Sequence, residues 1–223
     1  MATTVPVLEG ESIPRSHVIL LLIWAVWLVW SAIHPHDYLT WTLEVFPGVL
    51  GMAALLAIYN RFRFTTLLYA LIVIHCGILF IGGHYTYAEV PLFNWIRDRF
   101  HLMRNDYDRV GHFAQGFVPY LIAREVSIRR RVFTSRGWRI FFCIGVCLAI
   151  SALYELFEWQ SAVIGGSSAD AFLGTQGDPW DTQEDMATAL VAACLAEPVM
   201  GRIHDRALNA LRANAPGDAS LMR

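Results

Sequence analysis

Six apolar runs of about 16 to 20 residues recur along the 223-residue chain, joined by short polar connections. About 20 mostly apolar residues, coiled as a helix, cross the hydrocarbon core of a bilayer. The pattern therefore predicts an all-α fold, a polytopic bundle of six transmembrane helices. The spans fall at about 18–33, 41–59, 65–83, 108–124, 138–159 and 183–200. They use nearly the whole length, so a single integral-membrane domain over residues 1–223 is expected, with no separate soluble module. Composition agrees: 16% of residues are charged, against about 25% in a soluble domain. Residues 1 to 14, with Pro6, Gly10 and Pro14, read as a short irregular tail. They lack the pattern of a cleaved signal peptide.

Arginine placement sets the orientation, because cytoplasmic loops retain basic residues. All 17 basic residues are arginine. With both termini cytoplasmic, the inner side receives Arg15, Arg61, Arg63, the six from Arg124 to Arg139, and Arg202, Arg206, Arg212 and Arg223. That places 13 inside and four outside, the four being Arg97, Arg99, Arg104 and Arg109. The net charge of -2 carries no nucleic-acid signature. Cys76, Cys143, Cys147 and Cys194 all lie in apolar runs and form no C-x-x-C motif, which reads as structural thiols.

This topology gathers the polar residues at one face. The segment from Gly82 to Phe117 is the only long polar and charged stretch between two apolar runs, opening at His84 and closing at His112. Span five delivers Glu155 and Glu158 to the same outer face, and span six enters there with Asp181, Glu184 and Asp185. Residues three or four apart share a helix face. Asp108/His112, Glu155/Glu158 and Asp181/Asp185 are thus three two-ligand faces, the first extended by Gln115 and the last by Thr188. Such groups are costly inside a membrane and usually face the bundle interior. Protons, arginines or a divalent metal would have to offset the acids. Carboxylates and imidazoles projecting from facing helices are how bundles hold metals, and a mixed oxygen and nitrogen shell suits zinc, manganese or iron.

Plainer readings stand beside these. Asp178-Pro179 and Thr182-x-x-Asp185 also resemble helix-capping signals. Glu155 and Glu158 sit at a helix C-terminus, where the dipole disfavours acids; that misfit favours a functional role. His75 is isolated in span three and reads as a packed core histidine. The Gly/Ser loop from Gly165 to Asp178 is expected to cover the acidic entry of span six.

The blocks GGHYTYAEVP, NDYDRVGHFAQGFVPYLIARE, ALYELFEWQ and GDPWDTQEDM resemble the signatures of the YjdF-type bacterial inner-membrane proteins. The resemblance runs from span one to span six. It implies a multi-pass protein of the bacterial inner (cytoplasmic) membrane and implies no reaction. His112, Glu158 with Gln160, and Asp181 with Asp185 are also similar to the pattern of the VanZ-like membrane proteins. The Asn and Gly that follow the acidic pair in that family have no clear counterpart here.

Three functions compete on these residues. The first is a metal-dependent hydrolase or transferase acting on a lipid or lipid-linked substrate at the outer leaflet. His84, His112, Glu158, Asp181 and Asp185 would be its metal ligands and Glu155 its general base. Arg104, Arg109 and Gln115 would meet the substrate, the arginines at an anionic headgroup. The second is a non-catalytic assembly or lipid-binding subunit in which the cluster joins helices. The third is a small proton-coupled transporter relaying through His75 and Glu155. Membrane lipids are the expected partners in each case.

Overall fold

The computed structural model of the chain describes residues 13–165 and 170–213. Most of the N-terminal tail, residues 166–169 of the Gly/Ser loop and Arg223 of the arginine count lie outside the described residues. The described residues contain no strand. Their helices are α1 (Arg15–Ser31), α2 (Tyr38–Ile58), α3 (Thr66–Tyr85), α4 (Pro91–Phe100), α5 (Tyr107–Arg129), α6 (Arg136–Gly165), α7 (Asp170–Leu173) and α8 (Asp181–Ala213). The six long ones fall on the six expected spans.

Helices α2, α3, α6 and α8 are each long and apolar enough to cross a membrane, and α1 is apolar but shorter, at 17 residues. Helix α5 has the length but not the apolar stretch, and its 23 residues include Asp108, Arg109, Arg124, Glu125 and Arg129. Its position explains the tolerance. It packs against α3, α6 and α8, and twelve of its residues are buried, against five of the 30 in α6. Polar groups on α5 therefore face protein instead of lipid, the arrangement a bilayer requires. Outward side chains on the other helices are apolar, among them Val26, Phe141 and Leu153.

Small residues make the close packing possible. A Cβ on Gly116 would lie 2.0 Å from the backbone oxygen of Ala189, so α5 and α8 meet backbone to backbone. Ala192, Ala193 and Ala196 continue that seam on α8, fully buried. Gly77 likewise leaves room for the Trp27 ring, bringing α1 onto α3.

Local chemistry sets the ends. Asp37 accepts from the Thr40 N–H at 2.6 Å and caps α2. Those bonds from Thr40 hold the Asp37 carboxyl below its usual range. Thr65 caps α3, its hydroxyl accepting from Leu68. Pro91 opens α4 at a position where its missing N–H is harmless, and His101 closes it in the left-handed conformation at φ 56°.

Two segments depart from expectation. The stretch between spans three and four is not merely a connection, because α4 forms there with Leu92, Trp95 and Phe100 exposed. The sixth helix does not stop near residue 200 but runs to Ala213. Its extension is held by contacts that hydropathy does not report: His204 and Leu208 are buried, and Arg124 of α5 reaches Asp205 at 2.8 Å.

Candidate metal centre

Where α5 and α8 begin and α6 ends, these helices bring Asp108, His112, Glu155, Glu158 and Asp185 into one buried region, and α2 adds Glu44. Asp108 and His112 are one turn apart on α5, and Asp185 stands opposite on α8. One ligand atom from each of these three lies within 4.8 Å of the others. His112 Nε2 is 3.4 Å from Asp108 Oδ1 and 3.6 Å from Asp185 Oδ1, beyond the usual range of about 2.7–3.2 Å for an N–H···O bond. On its other side, His112 Nδ1 lies 3.0 Å from Gln115 Oε1. An amide oxygen can only accept, so this contact places a ring proton on Nδ1 and turns Nε2 toward the two carboxylates.

Glu155 Oε1 sits 3.8 Å from His112 Nδ1 and is buried without a hydrogen bond. Glu158 is buried with no hydrogen bond or ion pair among the described residues. Glu44 accepts from the Tyr154 hydroxyl at 3.0 Å. Five acids thus stand near one imidazole in a region of low polarity.

A ring of ion pairs closes the site toward this end of the bundle. Arg109 holds Asp185 directly and pairs with Glu184 at 2.8 Å and Asp181 at 3.1 Å. Arg104 holds Asp181, lies 3.4 Å from Asp178 and 3.7 Å from Asp108, and donates to the Gly174 carbonyl at 3.4 Å. Both arginines proposed from the sequence for an anionic substrate are therefore engaged by carboxylates of this chain. Asp178 also accepts from the Trp180 N–H at 2.8 Å, just ahead of α8.

The sequence-derived ligand set divides accordingly. His112 and Asp185 come together. Glu158 is buried nearby without closing on the same point, and Asp181 faces Arg104 and Arg109. His84 is turned to the other side of α3, where Nδ1 meets the Ser31 carbonyl at 3.1 Å and the ring packs on Trp30. Gln115 orients the histidine. Asp108, read as a face-mate of His112 but outside the named set, is the carboxylate nearest to Nε2. Its i,i+4 spacing from His112 was the signal. Glu44 had a weaker one, a lone acid within an apolar run.

The chain belongs to the family described as predicted membrane protein DUF2238, whose model matches residues 16–206. It is a multi-pass protein of the bacterial inner membrane. Among proteins of known name it is similar to inner membrane protein YjdF of Escherichia coli K12, at 47% identity over 181 residues, covering 81% of this chain and 87% of that one. No solved structure matches. Neither match bears on the VanZ-like resemblance.

Proposed function

We propose that Asp108, His112 and Asp185 hold a divalent cation at the outer end of the bundle. We further propose that the chain is a metal-dependent hydrolase or transferase acting on a lipid or lipid-linked substrate. The observation that supports the metal reading is the place of His112 Nε2, 3.4 and 3.6 Å from two carboxylate oxygens on two helices. Atoms sharing a tetrahedral zinc-like ion at about 2.0–2.2 Å stand about 3.3–3.6 Å apart. The other ring nitrogen is held by Gln115, as metal-bound histidines commonly are. A cation would also offset acids that otherwise crowd one another.

Bound there, a divalent cation supplies Lewis acidity toward a substrate oxygen. The chain's own groups supply the rest. Arg109 fixes Asp185, Gln115 fixes the histidine ring, and Glu155, with its free buried oxygen, would accept the proton released by the attacking water or hydroxyl group. A membrane-borne substrate is supported by the site's place among the ends of α6 and α8, two helices long and apolar enough to cross a membrane. The exposed apolar side chains of α4 flank that end.

The enclosure of the site favours a second reading. Two surface clefts, of about 600 and 570 Å³, are lined by other residues, and none of the three proposed ligands borders either. A buried ion that only joins α5 to α8 would have the same surroundings. The two readings separate on Glu155→Gln. For an enzyme, the variant purified in detergent keeps wild-type metal stoichiometry, while lipid extracts of cells carrying it lose the turnover seen with wild type. For a helix-joining ion, extracts are unchanged, and chelation lowers the melting temperature. Metal-free wild type purified without chelators would overturn both.

A further inference from the structure

The opposite, arginine-rich end of the bundle carries a second polar assembly. Glu125, fully buried, accepts from the Thr65 N–H at 3.0 Å and its hydroxyl at 2.9 Å, and pairs with Arg129 at 2.9 Å and His204 at 3.0 Å. Beside it Arg124 pairs with Glu197 at 2.6 Å and Asp205 at 2.8 Å, and Glu197 also accepts from Tyr120. These groups satisfy one another. The cleft next to them, about 600 Å³ between the start of α6 and the middle of α8, is not balanced.

Four guanidinium groups line that cleft, those of Arg124, Arg136, Arg139 and Arg202, against the two carboxylates of Glu197 and Asp205. Arg124 is fully engaged. Arg136 touches only Glu197, at 3.3 Å. The side chains of Arg139 and Arg202 have no hydrogen bond or ion pair among the described residues, and Arg139 Nε is buried with no partner. A buried guanidinium N–H facing a cavity with surplus positive charge calls for an anionic acceptor. Arg136 and Arg139 belong to the first turn of α6, whose free N–H groups and dipole add to the pull on an anion. Trp138 and Phe141, both exposed, lie on the first two turns of this helix, and aromatic rings at span ends meet headgroups.

We infer that this cleft binds a phosphate group, held by Arg139 and Arg202 with Arg136 at its mouth. A phosphodiester or phosphomonoester headgroup of an anionic lipid and a soluble phosphate share this chemistry, and the test distinguishes them. Wild type, Arg139→Gln/Arg202→Gln and Arg206→Gln are each reconstituted in nanodiscs of phosphatidylcholine alone and with phosphatidylglycerol. Bound lipid is counted by native mass spectrometry, and inorganic phosphate is titrated against detergent-purified protein by calorimetry. Neither Arg139 nor Arg202 supports the fold through an ion pair, so the double variant should match wild type in helicity. Losing two charge-assisted contacts should weaken phosphate binding by about tenfold or more, while Arg206→Gln, outside the cleft, binds as wild type does. Phosphatidylglycerol retention lost only in the double variant assigns the site to a headgroup. A calorimetric response lost in that variant, without lipid retention, assigns it to soluble phosphate. Equal binding in all three proteins, or none in wild type by either measurement, overturns the inference.

Discussion

His112 has two ring nitrogens that meet different neighbours, and its tests follow from that division. Gln115 holds Nδ1 at 3.0 Å. Gln115→Ala should leave the ligands in place but let the ring turn, weakening metal affinity by about 10- to 100-fold. His112→Ala removes a ligand and should cost at least as much. Leu121→Ala, buried farther along α5, should retain metal even if packing loosens. Metal stoichiometry and competition titration on the purified variants check all three, and equal affinity in Gln115→Ala and wild type would remove the glutamine from its role. The pairing of Asp108 with His112 was readable from spacing alone, because one helix fixes it. The engagement of Arg104 and Arg109 with Asp178, Asp181 and Asp185 was not, since those contacts span 69 to 77 residues of chain. His84 misled for the same reason: hydropathy gives its depth, but only packing shows which way it points around α3.

At the scale of helices, the α5–α8 contact controls the site, because Asp108 and His112 come from one and Asp185 from the other. Gly116 permits that contact. Gly116→Val puts branched carbons where even a Cβ would be 2.0 Å from Ala189 oxygen. A backbone cannot yield as a flexible side chain does, so the helices must separate. The expected outcome is loss of metal together with a melting temperature several degrees lower. Gly145→Val, where nothing lies within 4 Å, should change neither by comparison. Helix positions were legible because apolar runs report lipid exposure. Helix ends at the arginine-rich side were not. There α8 outlasts its apolar stretch because buried polar contacts, His204 with Glu125 above all, replace hydropathy as the reason to stay helical.

Across the whole molecule, the contacts of Arg129 with the Arg63 carbonyl and of Arg124 with Asp205 bring three arginine-bearing segments to one end. The bond from His36 N to the His84 carbonyl and the pair of Arg104 with Asp178 lie at the other. The 13-to-4 arginine split predicts which end is cytoplasmic. A reporter inserted after Arg131 of the full chain, or joined after Arg212, should read cytoplasm, and one inserted after Gly177 should read the outer side. The opposite signal at either of the first two would invert the molecule and place the acidic site inside.

The polarity of α5 also constrains how the protein is made. A helix bearing five charged residues gains little from entering lipid by itself. In the finished protein its partners surround it, yet α6 and α8 are synthesised after it. The segment must therefore wait at the membrane surface or in the insertion machinery until those partners emerge, so integration is a joint event of three helices. A chain stopped at Ser135 with the reporter attached should show a smaller cytoplasmic fraction than the same reporter inserted after Arg131 of the full chain. Equal fractions would mean that α5 enters unaided. The charges gathered at the two ends of α5 thus make assembly of this protein depend on the order in which its helices appear.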